Sequence, residues 1–114
     1  VHKADPLQAV REHIDSNLAT ALPVSELAGI AGMSQFHFCR VFRDATGKSP
    51  HQYILAGRIQ AACRMLWSTG RPDPGARSIL DIALACGFGS SSHFSTQFKR
   101  HMGRSPLQWR ASQG

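Results

Sequence analysis

Apolar residues recur three or four positions apart along most of the chain, and glycine, proline or serine interrupts the pattern at intervals. The pattern predicts helices. Leu7, Val10, Ile14 and Leu18 form the first stripe, opened by Asp5-Pro6, a cap residue followed by a proline whose fixed φ suits the first helical position. Val24, Leu27, Ala28 and Ala31 form the second, and Gly32 supplies the left-handed residue that ends it. Ser34 caps a third helix with Phe38, Val41, Phe42 and Ala45 on its inward face and Gly47 at its end. Ser49-Pro50 opens a longer helix to about Trp67, with Tyr53, Ile54, Ile59, Ala62, Met65 and Leu66 as core contacts. The stretch Ser68–Arg77 holds two glycines and two prolines and reads as a mobile loop. Ser78 and Asp81 then form a capping box before the stripe Ile79, Ile82, Ala83, Cys86, which stops at Gly87. Ser90 caps a helix with Phe94 and Phe98 inward and Gly103 at its end. Ser105-Pro106 opens a short closing helix bearing Trp109.

The chain also repeats itself. Residues 24–53 and 79–109 align at an offset of 55, which places Ala28 on Ala83 and Gly32 on Gly87. One inserted residue near Gly89 raises the offset to 56. His37, Phe38, Phe42, Gly47, Ser49, Pro50 and Gln52 then meet His93, Phe94, Phe98, Gly103, Ser105, Pro106 and Gln108. Tyr53 faces Trp109. Each copy reads as helix, glycine turn, helix, with a small alanine where the two helices cross, which is the helix-turn-helix pattern. The expected fold is all-α, about seven helices, with two tandem helix-turn-helix subdomains joined by a long linker helix. The expected boundaries are 1–48 and 78–114 for the subdomains, 49–67 for the linker helix and 68–77 for the loop.

Charge changes the picture from a packing hairpin to a binding one. The net charge is +6 over 114 residues, but it is one-sided. Up to Ala56 five basic residues meet five acidic ones; from Gly57 onward eight meet two. An excess of this kind on a small domain points to an anionic partner, most often nucleic acid. No apolar run is long enough to span a bilayer, and no signal peptide opens the chain. The absence of an initiator methionine suggests a fragment or processed chain. Cys39, Cys63 and Cys86 are odd in number with no Cys-x-x-Cys pair, which fits a reducing cytoplasm and neither a disulfide framework nor a zinc ribbon.

A recognition helix buries one face and offers the other to the major groove. With Phe38 and Phe42 inward, Phe36, Arg40 and Arg43 share another face of the first unit. Ser92, Thr96 and Lys99 fill the same slots in the second. Arg40 is the leading candidate for reading guanine through its O6 and N7, the alternatives being a phosphate contact or a surface ion pair. Phe36 suits a thymine methyl, or else a core position; Gln35 suits an adenine edge. Ser91, Ser92 and Thr96 reach bases through short hydroxyls or water. Arg43, Lys99 and Arg100 suit phosphates, and the helix starts near Ser25 and Ser78 offer backbone amides to phosphate as well. Adjacent Ser92 and His93 do not pair as a catalytic dyad, because helical neighbours point about 100° apart. No enzymatic activity, cofactor or metal is expected. A redox switch at Cys39 and a protein-interaction module docking on RNA polymerase are the competing readings.

The segments GFGSSSHFSTQFKRHMGRSPLQWR and ELAGIAGMSQFHFCRVFRDATGKSPHQYI, with Arg58 and Ile59 following, resemble the two units of the arabinose-operon regulator (AraC/XylS) family. The resemblance covers nearly the whole chain. It implies seven helices, activation or repression at bacterial promoters, and base reading from Phe36, Cys39, Arg40, Ser91, Ser92 and Thr96. It further implies a sensor domain on a longer parent chain. Thr96 stands where many members carry arginine, and Cys39 where a polar residue is common. A linker helix of about 27 Å is close to the roughly 34 Å groove repeat, so the expected site is asymmetric duplex DNA with the two recognition helices in adjacent major grooves.

Overall fold

The computed structural model describes residues 5–68 and 78–113, and all the regular structure among them is helical. The helices are α1 (Pro6–Ser16), α2 (Val24–Ala31), α3 (Gln35–Thr46), α4 (Pro50–Ser68), α5 (Ile79–Ala85), α6 (Ser91–Met102) and α7 (Pro106–Gln113). The chain forms two compact units that divide between Leu55 and Ala56, within α4. The expected loop lies outside the described residues from Thr69 to Arg77, and Ser68 belongs to α4.

The first unit packs α1 on α2 and α2 on α3. Leu7, Val10, Ile14, Leu27, Ala28, Phe38, Phe42 and Ile54 form its buried core. Phe42 anchors two ring contacts: Phe38 at 5.5 Å and Tyr53 edge-on at 5.2 Å. Each fully buried phenylalanine contributes about 1.5–3 kcal/mol of apolar burial. Ala45, expected inward, is exposed, because it sits in the last turn of α3 just before the chain leaves the helix at Gly47.

The second unit repeats the design. Ile59, Ala62, Leu66, Ile82, Ala83, Cys86, Phe88, Phe94 and Phe98 are buried. Phe88, Phe94, Phe98 and Trp109 form a run of ring contacts at 5.2, 5.6 and 6.1 Å. The Cys86 thiol lies 3.7 Å from the Met65 sulfur. Phe98 against Trp109 copies Phe42 against Tyr53, so the repeat preserves a buried contact and not only a pattern.

The turns repeat too. The Met33 amide donates to the Ala28 carbonyl at 3.0 Å and the Phe88 amide to that of Ala83 at 2.9 Å. This six-to-one closure needs a left-handed residue inside it. Gly32 and Gly87 supply it at φ 70° and 91°. Ser34 and Ser90 accept from the His37 and His93 amides at 3.2 and 3.1 Å, capping α3 and α6. The capping box of Ser78 and Asp81 is formed in both directions.

Candidate nucleic-acid interface

Two helices of equal length, α3 and α6, are held by the same device. Each begins at a capped serine, buries two phenylalanines four residues apart, and ends at a left-handed glycine with φ of 76° or 77°. At about 100° per residue, Phe36, Arg40 and Arg43 fall opposite the buried pair of α3, as Ser92, Thr96 and Lys99 do on α6. All six are exposed.

On α3, Phe36 is 79% exposed, which excludes the core alternative for this ring. The Arg40 guanidinium carbon stands 5.7 Å from the centre of that ring. Among the described residues neither Arg40 nor Arg43 makes an ion pair. Among the described residues of this unit, Arg11 pairs with Asp5 at 3.3 Å and the His13 ring nitrogen stands 3.6 Å from the Glu26 carboxylate. Asp5 and Glu26 are thus engaged by side chains of α1. Gln35 is exposed at the start of α3, to one side of the face. Cys39 is half-buried and packs against the core edge, so it flanks that face as well.

On α6, Lys99 and Arg100 are exposed in the last turn, and Ser91 is half-buried. Ser91 and Ser95 line a groove of about 290 Å³ with Ile79, Leu80, Ser105, Pro106 and Leu107. Ser95 occupies the slot that the repeat, at an offset of 56, pairs with Cys39. Ser25 is exposed in the first turn of α2, whose N-cap position, Pro23, offers no side-chain cap. At Ser78 both the amide and the hydroxyl are engaged with Asp81, at 3.3 and 3.1 Å. A phosphate there would compete with a carboxylate. His93 turns its ring edge-on to Phe88 at 5.5 Å. No group of three or more metal-ligating side chains occurs among the described residues.

Two further capping boxes, repeated between the units, open α4 and α7. Ser49 accepts from the Gln52 amide at 3.2 Å while the Gln52 side chain accepts from the Ser49 amide at 3.2 Å. Ser105 and Gln108 do the same at 3.2 and 3.0 Å. The repeated Ser-Pro-x-Gln was the available signal.

Two capped helix-turn-helix units with outward, cationic second helices define a DNA-binding class of fold. Comparison with known proteins makes the class specific. Residues 27–112 match the family described as Helix-turn-helix domain. The chain is 31% identical over 100 residues to the probable transcriptional regulator LumQ of Photobacterium leiognathi, covering 88% of this chain and 38% of that protein. It is 34% identical over 99 residues to the right origin-binding protein of Escherichia coli, covering 87% and 32%. The chain thus spans about a third of the length of these relatives. The crystal structure of the DNA-binding domain of the global transcriptional factor AdpA with a target DNA superimposes with a TM-score of 0.83 at 33% identity, over 96% of this chain and 93% of that one. An AraC-type regulator from Chromobacterium violaceum gives 0.83 at 28% identity, over 96% and 92%. The chain belongs to the helix-turn-helix domain family, as a DNA-binding domain of the AraC/XylS type found in transcription regulators.

Proposed function

We propose that this domain binds an asymmetric duplex site in a promoter, as part of a longer cytoplasmic regulator that activates transcription. Phe36 and Arg40 read bases from α3, flanked by Gln35 and Cys39. Ser92 and Thr96 read from α6, flanked by Ser91. Arg43, Lys99, Arg100 and the starts of α2 near Ser25 and of α5 near Ser78 hold phosphates, the Ser78 amide itself being engaged by Asp81. One observation carries the reading: two helices in identical frames present unlike faces, a ring and two arginines on one, hydroxyls and a lysine on the other. Unlike readers call for unlike half-sites, with the stronger base preference under α3. The action on this reading is binding, and the His93 ring is engaged edge-on with Phe88 at 5.5 Å. No described helix is long and apolar enough to cross a membrane.

The test is selection of bound sequences from a random duplex pool, followed by two variants. Arg40→Ala costs about 1–3 kcal/mol on the selected site and relaxes one base pair. Lys99→Ala weakens selected and random duplexes alike. If Arg40→Ala leaves the base preference intact, the assignment of the reading face fails.

Contact with RNA polymerase is the second reading, favoured by one contrast between the copies. Leu80, Leu84 and Leu107 are exposed at 48%, 52% and 62%, where the first copy has Ser25, Gly29 and His51. Under this reading Leu84→Ser lowers transcription from a saturated promoter and leaves DNA affinity unchanged.

A further inference from the structure

Phe36 is the most exposed of the large apolar side chains described, and its equivalent in the second unit is Ser92. A benzene ring in that position has no hydrogen bond to offer a base edge. The one apolar feature a major groove presents is the methyl at C5 of thymine; cytosine lacks it. The ring also carries the Arg40 guanidinium at 5.7 Å, and Arg40 has no ion pair among the described residues to draw it away. One cation–π pair therefore holds an apolar plate and a bidentate donor side by side. Stacked bases on one strand are about 3.4 Å apart. A guanine edge under Arg40 brings the C5 position of a neighbouring pyrimidine within reach of the ring that supports the guanidinium.

We infer that Phe36 and Arg40 act as a single reader of a C5-methylated pyrimidine beside guanine, whether that pyrimidine is thymine or 5-methylcytosine. The inference rests on the base-reading assignment of α3 above. Its consequence is regulatory. An unmodified cytosine–guanine step is a weak subsite for the first unit, and methylation of its cytosine converts it into a strong one without any change of sequence.

The experiment uses the full chain and the best duplex recovered by selection, titrated by fluorescence anisotropy at fixed salt. The pyrimidine beside the Arg40-dependent guanine is varied in two pairs, thymine against deoxyuridine and 5-methylcytosine against cytosine, so that each pair differs by one methyl. The expected loss on removing the methyl is about fourfold in both pairs, the factor that burying one methyl-sized group supplies. In Phe36→Ala the factor falls to one while the guanine preference persists; in Phe36→Leu part of it remains. Phe36 lies outside the core, so neither variant disturbs the fold. If the wild type binds both members of each pair equally while Arg40→Ala relaxes the guanine, base reading stands and the methyl inference is overturned. If Arg40→Ala leaves the guanine preference unchanged, or no pyrimidine neighbours that guanine in the selected site, the inference falls with the assignment beneath it.

Discussion

Gly29 and Gly32 are three residues apart, both exposed, and a Cβ added to either meets nothing within 4 Å. Replacing each by alanine nevertheless has opposite effects, because the backbone differs. Gly29 lies inside α2, where alanine is favoured over glycine by about 0.5–1 kcal/mol. The second copy already carries a side chain there, Leu84. Gly32 holds φ at +70°. Alanine in the left-handed region costs roughly 1–2 kcal/mol, offset by about 0.4–1 kcal/mol from the stiffer unfolded chain. Gly29→Ala therefore stabilises by about 0.5–1 kcal/mol and Gly32→Ala destabilises by a similar amount. Urea unfolding followed by far-ultraviolet circular dichroism measures both, and an unchanged slope certifies that stability and not compactness has moved. If Gly32→Ala stabilises the domain, or both variants shift the midpoint the same way, the left-handed closure of the first turn is refuted.

The charge of the second unit predicts that duplex affinity falls with salt at a log–log slope of roughly −0.9 per neutralised phosphate, and that Lys99→Ala makes the slope about one contact shallower. Anisotropy titrations across a salt series check this, and a flat series would sink the phosphate assignment. Ser90→Ala removes the cap of α6 and lowers stability by about 1 kcal/mol in the same urea assay. Burial raises the Tyr53 hydroxyl above its ordinary value of 10.0, with Asp15 adding to the shift and Arg11 opposing it. A raised folded-state value means this contribution is fully present below about pH 10 and is lost as the pH climbs through the folded value. Tyr53→Phe should flatten the fall in stability measured between about pH 9 and 11; an unchanged fall would place its cause elsewhere.

The fold was legible because its punctuation is chemical. Gly32, Gly47 and Gly103 end helices for want of a Cβ, and Ser34, Ser78 and Ser90 begin them with an oxygen in the right place. The repeat fixed which stripes belong together. The outward faces followed from the period, since Phe38 and Phe42 inward leave Phe36 and Arg40 outward. What escaped was anything set by the end of an element or by a second partner. Ala45 has the right period but the wrong turn of its helix. Cys39 and Ser91 share the outward helices yet sit at their flanks, where neighbouring segments decide exposure. The approach of Arg40 to Phe36 depends on rotamers that spacing permits without requiring. The engagement of Ser78 by Asp81 was visible as a box, and both of its hydrogen bonds are formed.

The first core, from Leu7 to Ile54, is drawn from one uninterrupted stretch of chain, and its helices pack on their neighbours in sequence. Contacts closed over short loops cost little chain entropy and form early and quickly. During synthesis the first unit can hide its apolar stripes before α5 exists, so the nascent chain does not have to keep Phe38 and Phe42 exposed while the second core is made. A DNA-binding domain assembled this way matures one helix-turn-helix unit at a time, the first before the second.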